Sequence, residues 1–413
     1  MRSSLKSFGT LAASLVTLSL AVPAFGQTHA TLNINCARGE SLASVVGFAL
    51  PNTVINVKGA CAGPVTITTS GLQINAIGTA SISGAGKDAV TVAGARGIVL
   101  SGFTISGGNN GVVAANGAQV TLLNDSVTGN AQSGIVAESN SSVTINGGFS
   151  KNNGFHGIDV ESTSALVVTG HYGIAANGVF GINVNNGSSL TLTGATLAVS
   201  NNTLGIQMGT NASGFLDGLS SLNSSQNLSD GLTIVSGSHM VDFGGTITTN
   251  NNFTHGISLN SKAGLDLDAG SQVTSTGNSG DGVHMEQGSV MTVFNNPLFS
   301  QVPVATQLNA SFNVNNGVNL LTGSRILVDN DAELVAVTNN GSGVRLDDGS
   351  ALSFGHSIAL LPGVSSVVEA NNSIDVGLTF GSHLTYVDNE SFGAVVCDAS
   401  SQIRGPNAPT CPH

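Results

Sequence analysis

The side chains of this chain that could do chemistry fall into two small groups. In the first, Asp159 and Glu161 stand two residues apart, with His156 just before them and Glu138 at the matching place one repeat earlier. Carboxylates on neighbouring repeats of a stacked sheet lie about 5 Å apart, a spacing that suits the acid and nucleophile of a retaining glycosidase. In the second, His284 and Glu286 stand two apart, Asn319 follows one repeat later, and Arg345 and Asp347 come one repeat after that. A histidine with nearby carboxylates could remove a proton beside an acidic sugar whose charge Arg345 would neutralise. The competing reading is structural: a solvated acidic face with surface ion pairs that contribute little. Asp329-Asn330-Asp331 and Asp266-Leu267-Asp268 lack the ligand count of a dedicated calcium site, so no metal ligands and no cofactor are expected.

The elements that must hold these residues are repeats. Asn-x-x-x-Gly followed by Ile, Val or Leu recurs through the chain. Its asparagines are Asn130, Asn153, Asn177, Asn201, Asn227, Asn252, Asn278, Asn313 and Asn339. After each glycine, apolar and polar residues alternate, as in Ile158-Asp159-Val160 or Val344-Arg345-Leu346. Period-two alternation puts one set of side chains in a core and the other in solvent. A second strand opens at a Ser or Ala seven residues after most glycines, and a third apolar pair precedes the next Asn. Three short strands per repeat, joined by Gly, Asn and Ser turns, make one coil of a parallel β-helix. A leucine-rich repeat has an overlapping period, but its Leu-x-x-Leu-x-Leu strand and helical return are missing. About 14 coils at roughly 4.8 Å give a rod on the order of 65 Å long. The recurrent Asn is expected to form a hydrogen-bonded ladder that satisfies buried turn groups.

The ends are expected to differ from the middle. Residues 1–26 read as a signal peptide: Arg2 and Lys6, an apolar run of about a dozen residues, then small residues. Its removal leaves nine basic against 23 acidic residues, a charge of about −14. Residues 27–52 read as an N-terminal cap, 53–396 as coils and 397–413 as a C-terminal cap. Leu42, Val45, Val46, Ala49 and Leu50 have the spacing of a short amphipathic helix ended by Pro51. The four cysteines fit an oxidising compartment, and Cys36–Cys61 with Cys397–Cys411 is the favoured pairing because each closes a short loop. The repeats Gly282–Gly317 and after Gly343 run about ten residues longer than the others, with insertions around Asn296–Gln307 and Leu360–Ala370. Insertions on a solenoid gather on one face and often bind, so Phe299 and Gln301 join Asn319 as expected binding residues.

The Glu40–Leu50 capping segment and the Asn-x-x-x-Gly-Ile coils resemble the pectin lyase-like right-handed parallel β-helix superfamily, over roughly residues 39–396. The resemblance implies an all-β right-handed solenoid. It also implies a polysaccharide as partner, since the superfamily includes pectate and alginate lyases, polygalacturonases, epimerases and adhesin stalks. The catalytic motifs of those enzymes are not met. Only Asp347-Asp348, Phe155-His156-Gly157 and Arg325-Ile326-Leu327 echo the polygalacturonase pattern, and they stand out of order. From Gly111 to Asn372 the basic residues are Lys151, Lys262, Arg325 and Arg345, few for holding a polyuronate. The acidic balance also argues against a nucleic-acid partner. The expectation is therefore a secreted or periplasmic, non-catalytic β-helix with a surface, matrix or adhesive role that binds glycans. A polysaccharide lyase or glycoside hydrolase is the alternative.

Overall fold

A computed structural model describes residues 30–295, 304–355, 366–386 and 390–412. Every coil contributes one short strand to a 14-stranded parallel sheet, which runs from Val65–Ile67 to Val395–Cys397. The other strands of each coil build a 26-stranded sheet, also parallel. The described residues thus form an all-β solenoid of about 14 coils with one α-helix.

Inward Ile, Val and Leu stack into a single core cluster reaching from Ile34 to Tyr386. In the 14-stranded sheet Ile158 pairs with Ile182, and Ile257 with Val283, Val318 and Val344 in succession. Coils differ from the expected three short strands where the second and third fuse into one bent strand. Gln119–Thr128, Ser142–Lys151, Ala165–Ala175 and Ser189–Ser200 are such strands. Residues with positive φ, Asn124, Gly147, Gly170 and Gly194, take the bend without interrupting the strand.

The asparagine ladder is continuous. Each Nδ2 donates to the Oδ1 of the Asn one coil on, at 2.9–3.3 Å, from Asn130 through Asn153, Asn177, Asn202, Asn227, Asn252, Asn278, Asn313 and Asn339 to Asn371. The same Oδ1 also accepts the backbone N–H of the preceding Asn, as Asn153 does for Asn130. Two members differ from the sequence reading. Asn202 and not Asn201 is the buried rung, because Asn201 takes a positive φ and turns out to solvent. Asn371 adds a last rung that the Gly-based spacing does not mark. The ladder also explains the strand glycines: a Cβ on Gly157, Gly231 or Gly317 would meet the Nδ2 of the next rung at 2.7–2.8 Å. Close approach, and not backbone conformation, excludes a side chain there.

The helix is Leu42–Phe48, capped by Ser41, whose hydroxyl accepts the Ser44 N–H. Leu42 and Val46 are buried over the strand Val65–Ile67, while Leu50 is exposed because the chain turns extended at Ala49. Cys36–Cys61 and Cys397–Cys411 are disulfides. Both end segments also enter the sheets: Thr31–Asn35 pairs with Val54–Lys58, and Gln402–Arg404 with His383–Thr385. Among the described residues no helix is long and apolar enough to cross a membrane. Residues 1–26, Phe299 and Gln301 lie outside the described residues, as do the central parts of both insertions.

Candidate functional site

The outward positions of the 14-stranded sheet form three parallel rows. The central row runs Asp159, Asn183, Gln207, Thr233, Ser258, His284, Asn319, Arg345, in register coil by coil. Two residues further along each strand, a second row holds Glu161, Asn260, Glu286 and Asp347. The third row is the residue just before each strand glycine, among them His156, Asp230, His255, Asp281 and Asn316.

That third row is a second ladder. Seven polar side chains in it accept the backbone N–H of the residue at the same place one coil on. Asp88 takes Asn110, and Asn110 takes Ser133. From Asp230 the chain is unbroken: Asp230 accepts His255 N–H, His255 Nδ1 accepts Asp281 N–H, Asp281 accepts Asn316 N–H, and Asn316 accepts Ser342 N–H, all at 3.0 Å. His156 does the same for Phe180 at 3.3 Å.

The first sequence group dissolves into this scaffold. His156 is buried, stacked flat on Phe180 and tilted against Phe155. Burial lowers its pKa to about 4, as fits a ring whose Nδ1 accepts an amide proton. Asp159 accepts the Asn183 amide at 2.8 Å; burial raises its pKa, which that bond only partly offsets. Partial burial, then the charge of Asp159, raises Glu161. Glu138 sits one coil below Glu161.

The second group is denser, and the sequence reading found only its outer part. His284 Nδ1 meets Asp281 Oδ2 at 2.9 Å. Asp281 is almost fully enclosed and accepts three further bonds, from Asn316 N–H, Asn316 Nδ2 and Asn319 Nδ2. His255 stacks on His284 with ring centroids 4.3 Å apart, and its Nδ1 lies 3.6 Å from Asp281 Oδ2. Glu286 accepts the Asn260 amide, and Asp230 accepts the Thr254 hydroxyl. Arg345 lies two coils beyond His284 and pairs with Asp347 at 2.9 Å; Asp347 also accepts the Thr379 hydroxyl. Arg345 is therefore held away from the imidazoles.

Electrostatics separate the two rings. Burial lowers the pKa of His255, helped by the charge of His284 and opposed by Asp230, Asp281 and Glu286. Burial also works against His284, but the hydrogen bond and charge of Asp281 outweigh it and its pKa is raised. Burial would raise Asp281, yet the bonds from His284, Asn319 and Asn316 leave it lowered. A carboxylate holding Nδ1–H leaves His284 Nε2 as the ring's outward atom, the arrangement of an oriented general base. His255, Asp281 and His284 also form a group whose possible metal-ligand atoms all lie within 4.8 Å of one another. His255, Asp281 and Asp230 were legible as Asp-Gly and His-Gly pairs, but the alternation after the glycine drew the reading past them.

Residues 52–215 match the family described as a right handed beta helix region. No curated protein matches the chain. Among solved structures it is similar to the A-module of the Azotobacter vinelandii mannuronan C-5 epimerase AlgE4, at 14% identity and TM-score 0.42, over 90% of this chain and 91% of that one. It is similar to the pectate lyase Pel9A at 15% identity and TM-score 0.41, over 68% and 78%. The periplasmic alginate epimerase AlgG stands at 13% identity and TM-score 0.41, over 91% and 82%. The coils outside residues 52–215 pair in the same parallel register as those within it, so the right-handed parallel β-helix extends along the described chain.

Proposed function

We propose that this is a secreted, non-catalytic β-helix that binds neutral extracellular polysaccharide along its stacked amide and hydroxyl rows. One observation carries the reading: four of the acidic side chains that chemistry would need are already committed to protein partners. Asp159 holds Asn183, Glu286 holds Asn260, Asp347 holds Arg345 and Thr379, and Asp281 holds three residues at once. Rows of Asn, Ser and Thr remain. A shallow depression at a turn of the larger sheet, lined by Ser200, Asn223, Ser225, Gln226, Thr248 and Asn250, offers donors and acceptors of the kind that match sugar hydroxyls. The acidic surface favours a neutral glycan over a polyuronate.

The test is a panel of neutral and acidic polysaccharides incubated with the purified mature protein, with calcium or chelator. Chain ends are read by mass spectrometry and retention by affinity electrophoresis. Retardation by a neutral glycan without new ends is expected. Unsaturated or hydrolysed ends that disappear in Asp159→Asn or His284→Asn would replace this reading with a lyase or hydrolase.

A further inference from the structure

We infer that His255, Asp281 and His284 form a binding site for a borderline divalent cation of the zinc class, held across two adjacent coils. The donor set is two imidazoles and one carboxylate, the mixture zinc prefers; calcium and magnesium take oxygen. The two separations to the carboxylate fit as well. Asp281 Oδ2 lies 2.9 Å from His284 Nδ1 and 3.6 Å from His255 Nδ1. Those distances bracket the roughly 3.3 Å between ligand atoms of a tetrahedral ion with bonds of about 2.0–2.1 Å.

The tautomers fit too. His255 Nδ1 accepts an amide proton, so the ring already carries its own proton on Nε2. His284 frees Nδ1 by moving its proton to Nε2 when the ring is neutral, and by releasing one proton to solvent when the ring is charged. Binding then gives up the Asp281 N–H to His255 contact and the His284 to Asp281 contact, and the cation takes both places.

The surroundings also favour a cation. Asn319 orients the carboxylate ligand, its amide nitrogen donating to Asp281 Oδ2 3.0 Å away. Asp230, Asp281 and Glu286 all act on both imidazoles, and the nearest arginine along the central row is tied to Asp347. These three carboxylates make the local field negative.

The experiment uses mature protein stripped with chelator and titrated with Zn²⁺ by calorimetry, and with Co²⁺ by visible absorption. One equivalent of Zn²⁺, a tetrahedral Co²⁺ spectrum and no competition from excess Ca²⁺ are expected. His284→Asn should weaken Zn²⁺ at least about tenfold. This variant is safe for the fold because His284 belongs to neither ladder and its row already contains Asn183 and Asn319. His239→Asn, at an exposed histidine paired with Asp266 on the other sheet, should change nothing. Absent saturable binding, displacement by Ca²⁺, or equal Zn²⁺ affinity in His284→Asn each overturns the site. Should that variant misfold, Co²⁺ broadening of histidine ring signals in the wild-type protein decides: His255 and His284 first supports it, His171 or His383 first refutes it.

Discussion

His156 and His255 stand where other coils place Asp88, Asn110, Asp230, Asp281 or Asn316, and all do one job: accepting an amide from the next coil. The job needs a lone pair, so those imidazoles must stay neutral. Buried carboxyls face the opposite demand. Asp242 accepts the Gly245 N–H, and Asp125 accepts those of Phe103 and Leu123; burial nevertheless pushes each up from 3.8 to about 7. An acid raised on folding keeps a proton that the unfolded chain has released. Its stability contribution is full below the unfolded pKa and is lost as pH rises through the folded one. Asp242→Asn keeps an oxygen for Gly245 and removes the titration. It should raise Tm by a few degrees at about pH 8 and leave it unchanged at about pH 4. Equal shifts at both pH values would show that packing, not ionisation, is responsible.

At the scale of the coil, the two ladders and the glycine between them act as one device. The rung Asn fills the space a Cβ would take on the glycine one coil earlier, and a polar residue before the glycine hands its acceptor forward where the row carries Asp, Asn or His. Asn202→Ala strands the amide and side chain of Asn177 and should cost about 1–3 kcal/mol. Asn201→Gly, beside it, should stay within about 0.5 kcal/mol because that residue is exposed at positive φ. Urea midpoints of the two variants check the contrast. The coil was legible in the sequence because Ile-Asp-Val after a glycine can only alternate in and out. The rung at Asn201-Asn202 was not: adjacent asparagines satisfy either frame, and only inter-coil register chooses. The His255–Asp281 cluster escaped for a related reason. Its members sit about one repeat apart in the chain, and their meeting depends on the glycine of each coil stacking on the last.

Across the whole molecule, stability is a sum of neighbour contacts, and each end has one neighbour fewer. The helix Leu42–Phe48 and the two disulfides stand at those ends. Each bridge closes a loop that should contribute about 3 kcal/mol. Replacing Cys36 and Cys61 by Ser should speed amide hydrogen exchange in the coils around Ile55 and Ile74 while Leu346 and Leu378 keep their protection. Uniform loss along the chain would mean that the solenoid unfolds as one unit.

The forward-handed acceptors of the second ladder also constrain how such a protein can change length. A whole coil added between Gly231 and Gly256 would bring its own rung, glycine and acceptor, and every contact above and below would be restored. A partial coil would leave an amide facing the wrong partner on each ladder at once. Growth is therefore quantised: the rod can be lengthened or shortened by duplication and deletion in whole steps, and surplus residues must leave the wall as loops.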